Sequence, residues 1–473
     1  MSAAALWIYI PFLTGFVLLF FSNEKRFSRI ISLVLSAFLS GTALRVPVNS
    51  MIVVNRSSLI FSATTRVLGR TLTISRSDQT IVAFFYAFTF LWIFGSMFTD
   101  IYKYFIPISL MSTAMMVAVI SVQPFIYGIF FVMICALLFL PMIRNTQMNN
   151  ENIIIRFLLD QLLGVVCLAF SGKLTGTVDI NPQDIFLLKR TAILIFIGLS
   201  LWLAVFPFFS WIASLMENGC PFVSGYVISL LQFSSLFILL EFLKDYSWLR
   251  SYQPLFSALR LAGVTMLIIG SVMSLLQTNI QRMMAFIITA ENGVSILLIG
   301  TNSHEGINTL LTSIFIHSVV WLIWATSVKF IGSDYDLSLE NMKGLAYRHP
   351  IVCAALILSH FTISGMPLLA GFDLRLSLFS SCFNYSNTLG WIVCTASGIL
   401  IFSGLRLLFI FISPLPDENI FDRPYDERFR FQLIMRRGLL ISLIVLLVVM
   451  SFFPSVMDVF IRGIREQYAL IFG

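Results

Sequence analysis

Charge is what this 473-residue chain has least of: Lys, Arg, Asp and Glu make up 11% of it, against 58% hydrophobic residues. A soluble domain carries about a quarter charged residues, so this chain cannot surround a globule with a water-facing skin. With a mean hydropathy of +0.92, it reads as an all-α integral membrane protein. Paired cysteine motifs are also missing. Cys135, Cys167, Cys220, Cys353, Cys382 and Cys394 are scattered in or beside apolar stretches, with the spacing of neither a zinc site nor an iron–sulfur cluster. No Gly-rich phosphate loop, CxxC pair or HExxH helix occurs, which argues against nucleotide chemistry and metals in this chain. The net charge of +7 is spread over many short loops, so no basic face is offered to nucleic acid. The first apolar run lacks a basic segment before it and a small-residue cleavage site after it, and is expected to be a span, not a leader.

What the chain has is apolar runs of about 20 residues, the length that crosses a bilayer. They fall at Leu6–Phe21, Ile30–Leu44, Thr80–Phe98, Phe105–Ile120, Phe125–Ile143, Ile153–Phe170, Thr191–Ser214, Phe222–Phe242, Leu255–Leu276, Met283–Ile299, Leu310–Ile331, Ile351–Leu378, Leu389–Ile412 and Leu439–Phe453. These predict about fourteen transmembrane helices in one polytopic domain over 1–473, which leaves no room for a soluble domain. The longer polar stretches are 45–79, 171–189, 332–350 and 413–437. The first alternates locally, at Met51–Val54 and Thr71–Ser75, and is expected to form a surface hairpin. The last mixes acids and bases and is expected to be a charged cytoplasmic loop or surface helix, with a docking site for a partner subunit as the alternative. With the first residue outside, Lys25, Arg26, Arg29, Lys103, Arg144, Lys343, Arg348, Arg423, Arg428, Arg430, Arg436 and Arg437 fall on the cytoplasmic side, as the positive-inside rule favours. The arginines of 45–79 run against it.

Two spans are interrupted. FPFFSW (Phe206–Trp211) places Pro207 in an apolar segment, with Pro221 close behind; SGMPLLAGF (Ser364–Phe372) places Gly365, Pro367 and Gly371 mid-span. Proline removes a backbone donor and clashes with the preceding turn, so each run should kink or unwind its helix. Pro207 and Pro367 are 160 residues apart, about five helices. Broken helices at corresponding places are the pattern of inverted transporter repeats, here two five-helix bundles at roughly 104–242 and 255–412.

Two basic residues, Arg282 and Arg375, lie in segments that otherwise read as spans. An ionisable side chain in hydrocarbon costs roughly 2.5 to 3.5 kcal/mol on insertion scales, so it is seldom kept without a partner or a task. Glu291, His317, His360 and Asp373 complete the central titratable set, with Glu217, Glu241 and Lys329 nearer helix ends. His317 is open to two readings, a relay or a neutral ring satisfied by a carbonyl. Asp373 and Arg375 point to different sides of a regular helix unless the break at Gly371 brings them together. Arg282, near a helix start, can snorkel to the interface.

Four motifs resemble the antiporter-like membrane subunits of respiratory complex I and their relatives in Mrp-type antiporters and membrane-bound hydrogenases. FPFFSWIASLMENGCPFVSGYV keeps Pro207, Trp211, Met216, Pro221 and Ser224, with Phe209 where the family has His. TNIQRMMAFIITAENG is similar through Arg282, Ala285 and Phe286. FIHSVVW keeps His317, with Trp321 at a Lys position. GMPLLAGFDLR resembles the family's run most fully, with Arg375 at its basic position. The matches run in order from about Thr191 to Leu378. The resemblance also marks what is lost: the family's Glu position falls near Ala136 and its broken-helix Lys position at Trp202, where neither residue can titrate. Arginine at 375 holds its proton too firmly to relay one.

The resemblance implies a non-catalytic membrane-arm subunit of a complex I-like NADH:quinone oxidoreductase, with the proton relay largely lost and a scaffold or modified coupling role. The proton or ion pathway candidates are Glu291, His317, Arg375, Asp373 and Arg282. It also implies no cofactor in this chain, with flavin, iron–sulfur clusters and quinone on partner subunits. Its partners would be other membrane-arm subunits, the lipid bilayer, and H+ or Na+, in a bacterial plasma membrane in preference to the mitochondrial inner membrane. An Mrp-type cation/proton antiporter subunit and an autonomous secondary transporter remain the alternatives.

Overall fold

The computed structural model describes residues 2–49, 51–54, 57–67, 69–99, 101–144, 151–181, 183–333, 335–414, 427–468 and 471. Among these, eleven helices are long and apolar enough to cross a membrane, and three shorter apolar helices, Ala5–Phe20, Phe105–Ser121 and Pro350–Ser364, raise the number to fourteen. In chain order they are α1 Ala5–Phe20, α2 Lys25–Arg45, α3 Asp78–Gly95, α4 Phe105–Ser121, α5 Phe125–Arg144, α6 Glu151–Ile180, α7 Ile185–Trp202 with its continuation α8 Ser210–Asn218, and α9 Pro221–Asp245. The second half holds α10 Gln253–Leu276, α11 Ile280–Gly300, α12 His304–Ile331, α13 Pro350–Ser364 with its continuation α14 Gly371–Tyr385, α15 Asn387–Ile412 and α16 Glu427–Phe452. A last helix, α17 Ser455–Tyr468, lies after the final span.

The helices sort by what they face. The spans α9 and α11 are buried through their whole apolar windows, and they are apolar all round because protein, not water, surrounds them. The spans α2 and α16 bury 28% of theirs and turn Phe38, Val34, Val445 and Val448 outward, as a bilayer-facing wall should. Small residues allow the closest approach: α10 and α11 meet at Gly263, Gly270 and Gly293, where an added Cβ would fall within 2.8 Å of the opposite backbone. Such contacts replace the hydrophobic drive that lipid cannot supply.

Three sequence expectations change. The polar stretch 171–189 is mostly helix, since α6 runs on to Ile180 and only 181–184 links it to α7; Ser171 and Thr175 satisfy their hydroxyls on carbonyls one turn back. The surface segment 45–79 folds as two antiparallel hairpins, not one: β1 Met51–Val54 with β2 Ser57–Ile60, and β3 Thr64–Val67 with β4 Arg70–Thr73. A short β5, Val122–Gln123, extends the second. In 413–437, residues 415–426 lie outside the described set, while α16 begins at Glu427, inside the expected loop. The helix α17 was not expected as an element. Its buried residues Met457, Ile461, Ile464 and Tyr468 follow an i, i+4, i+7, i+11 stripe, which packs it on α3 and α12 at the end of the molecule that carries the hairpins, hereafter the hairpin face.

Candidate functional site

Both interrupted spans are true breaks, and each frees backbone carbonyls that need donors. In the first, α7 stops at Trp202 and α8 resumes at Ser210, with Ala204 in the left-handed region at φ +55° and Pro207 within the gap. Trp211 Nε1 donates to Leu201 O at 3.2 Å, Gln232 Nε2 to Trp202 O at 3.1 Å and Asn292 Nδ2 to Leu203 O at 3.4 Å. Pro221 belongs to no break; it sits at the first position of α9, where proline's missing N–H costs nothing.

In the second break, α13 ends on Gly365 at φ +79°, and α14 resumes at Gly371. Both glycines are required by space. A Cβ on Gly365 would fall 2.1 Å from Arg375 Cγ, and one on Gly371 would fall 1.7 Å from Thr362 O. Pro367 lies in the gap between them. The freed carbonyl here, Ile363 O, accepts from Arg375 Nε at 3.2 Å and from Arg375 Nη2 at 2.8 Å. A cation at a helix C-terminus also meets the negative end of the helix dipole.

That guanidinium bonds Glu291 Oε1 through Nη2. Glu291 Oε2 lies 3.2 Å from His317 Nε2. Glu291, His317 and Arg375 thus form a buried triad drawn from α11, α12 and α14, with side chains 4–8% exposed. Arginine keeps its charge at any physiological pH, whereas imidazole changes charge near neutrality.

Two small cavities flank Glu291. One, of about 10 Å³, is lined by Ser229, Gln232, Asn292, Ser295, His317 and Trp321; the other, of about 20 Å³, by Thr309, Ser313, Thr362, Gly371 and Arg375. Each has room for roughly one water. The hydroxyl of Ser229 and Arg375 Nη1, one in each lining set, are buried polar atoms with no protein partner among the described residues.

Other predicted residues stay apart from this triad. Asp373 is exposed on the first turn of α14, so the break does not fold it back onto Arg375. Arg282 is half-exposed on the first turn of α11 and pairs with Glu217 at 3.6 Å near the face opposite the hairpins. His360 is buried in the core, with Nε2 3.0 Å from both Leu400 O and Ser403 Oγ. At the positions where the family resemblance expects Glu and Lys, Ala136 and Trp202 are each 1% exposed, and the Trp202 indole donates to Gln161 O at 3.1 Å.

Sequence reasoning missed the amides. Asn292 Nδ2 donates to Gln232 Oε1 at 2.8 Å, so an uncharged line runs from the Trp202 carbonyl through Gln232 and Asn292 to the cavity beside Glu291. Its signal was legible: Gln232 is a lone amide among the apolar residues of α9, and Asn292 adjoins Glu291.

A chain of about fourteen spans with two discontinuous helices and a buried charge cluster at one break defines an antiporter-like membrane protein, and comparison with known proteins agrees. Residues 173–400 match the family described as NADH:quinone oxidoreductase/Mrp antiporter, TM. Subunit N of NADH-quinone oxidoreductase from Acidithiobacillus ferrooxidans is 26% identical over 275 residues, 53% of this chain and 55% of that protein. Its counterpart in Geobacillus kaustophilus is 27% identical over 267 residues, 50% of this chain and 52% of that protein. The chain spans about half the length of the curated relatives it matches. Among solved structures, a chain of the Mrp complex from a Dietzia species superposes with TM-score 0.81 at 13% identity, covering 99% of both chains. A chain of respiratory complex I from Thermus thermophilus does so with TM-score 0.73 at 15% identity, covering 99% of this chain and 100% of that one. The chain is thus similar, over residues 173–400, to the NADH:quinone oxidoreductase/Mrp antiporter family.

Proposed function

We propose that this protein is a membrane-arm subunit of a complex I-like NADH:quinone oxidoreductase, in a bacterial plasma membrane, with its proton machinery reduced to one half of the molecule. The observation that carries the reading is the Arg375–Glu291–His317 triad at the second helix break. Against it stands an apolar and amide-only centre at the first, around Ala136, Trp202 and Gln232. Sequence relatives named as subunit N of NADH-quinone oxidoreductase support the choice of complex.

In this reading electrons never enter the chain; flavin, clusters and quinone belong to neighbouring subunits. The chain contributes a charge whose proton occupancy follows its surroundings: a charged neighbour approaching along the membrane plane changes the proton affinity of His317 against the fixed Glu291–Arg375 pair. The ion is H+. Asp373 and Arg282 take no part in that exchange.

Mass spectrometry of what co-purifies from the native membrane in mild detergent tests the assembly. Flavin and iron–sulfur proteins together with further antiporter-like subunits are the expected companions. Small membrane subunits alone would favour an Mrp-type antiporter, and the chain by itself an independent carrier. Proton pumping by complex reconstituted with His317→Gln tests the site, with a lowered proton-to-electron ratio expected and an unchanged ratio assigning the chain a scaffold role.

A further inference from the structure

A second charged cluster lies far from the triad, at the hairpin face, where the C-terminal helix closes over the ends of α3 and α9. Gln467 Nε2 donates to Asp78 Oδ1 at 2.8 Å and to Glu241 Oε1 at 2.9 Å. One amide nitrogen therefore bridges two carboxylates. Tyr468 Oη donates to Glu241 Oε1 at 2.9 Å, Lys244 Nζ to Glu241 Oε2 at 2.5 Å, and Ser75 N and Oγ to Asp78 Oδ2 at 2.8 and 2.6 Å. Glu241 is 4% exposed, Gln467 7% and Tyr468 1%, while Asp78 is half-buried beside the exposed Ser75.

Three observations point to a missing hydrogen. First, Gln467 Oε1 is buried with no partner, although a buried amide carbonyl left unpaired is costly. Second, among the described residues Asp78, Glu241 and the exposed Asp245 surround Lys244, while Arg250 is turned to the carbonyls of Leu243 and Lys244. Tyr468 and Tyr246 are titratable neighbours; burial beside Glu241 holds the Tyr468 phenol well above the ordinary value, so it stays a donor. Third, Asp78 Oδ1 and Glu241 Oε1 converge on one amide nitrogen, at 2.8 and 2.9 Å, and two carboxyls held that close favour one shared proton over two negative charges.

We propose that Asp78 and Glu241 form a proton-binding site at the hairpin face, taking one proton from the adjoining water, with the C-terminal helix as its clamp through Gln467 and Tyr468. A proton held in the docked state and lost on undocking makes docking strongest at low pH, weakening as pH rises. The site is separate from the triad. Between Glu241 and Gln232 on α9, a layer of rings intervenes, Phe84 packing on Phe233, Phe237 and Phe315 at centroid distances of 5.8, 6.3 and 4.7 Å. The clamp is set close by Gly463, where a Cβ would fall 2.1 Å from Thr80 Oγ1.

Hydrogen exchange of segment 455–468, measured by mass spectrometry on the full chain in lipid nanodiscs and corrected for intrinsic rates, tests the clamp. Protection is expected to fall by up to about tenfold per pH unit as the single proton leaves. Asp78→Asn and Glu241→Gln should each remove that slope. Flat protection in the wild type, or an equal slope in both variants, overturns the proposal. Infrared titration of the same samples reads the carboxylic acid itself. A carboxyl band present in the wild type at low pH, lost as pH rises and missing from either variant, supports the site; its absence from the wild type overturns it even if a variant folds poorly.

Discussion

The two helix breaks solve one problem with different chemistry. At the first, the carbonyls of Leu201, Trp202 and Leu203 are met by Trp211, Gln232 and Asn292, all neutral donors. At the second, the carbonyl of Ile363 is met by a guanidinium that also neutralises Glu291. A neutral donor closes a break and ends there. A charged one must itself be balanced, so the second break recruits Glu291 and, beside it, His317. The difference teaches that a membrane helix can be unwound without gaining charge, and that the charge here is tied to one break.

The sharpest way to break that comparison is Glu291→Gln, which strands the buried Arg375 charge and is expected to destabilise by about 3–5 kcal/mol, read as a lowered unfolding midpoint in detergent. The double variant Glu291→Gln/Arg375→Gln should recover part of that loss; no recovery would mean that the pair does not carry the second break. Gly371→Ala comes next, at about 3 kcal/mol, because the new methyl meets the Thr362 carbonyl. Gln232→Leu tests the neutral break, leaving the Trp202 carbonyl and one of the two Asn292 Nδ2 hydrogens unpaired for about 2 kcal/mol; a cost equal to that of Glu291→Gln would erase the contrast. Asp373→Asn should change stability by no more than about 0.5 kcal/mol, since the side chain is exposed beyond the triad.

The spans were legible because hydrocarbon imposes one rule, a run of about 20 apolar residues, which α9 and α12 both obey. The breaks were legible because Pro207 and Gly365–Pro367–Gly371 are local signals. Contacts between α11, α12 and α14 were not, because spacing along the chain does not tell which faces meet. Glu291, His317 and Arg375 could be named as candidates, yet their union depends on how three helices pack. Asp373, two residues from Arg375, faces away from the triad as regular helix spacing has it, because α14 is already regular from Gly371 and the break does not fold it back. The line Gln232–Asn292 went unseen because amides carry no charge and attract less notice in an apolar run. Residues 171–180 read as polar yet continue the helix, because their hydroxyls bond carbonyls of the same helix.

The Arg375 side chain is held by a backbone oxygen and a carboxylate at once, with Gly365 pressed against its Cγ. A lineage drifting toward lysine at this place would lose the planar fork that serves Ile363 and Glu291 together. Lysine carries one nitrogen for both duties, so the loop at 365–371 and the acid at 291 would have to change in step. Single replacements are therefore steep downhill moves for descendants of this chain, and the position is expected to stay arginine wherever the unpaired carbonyl and the acid are both kept.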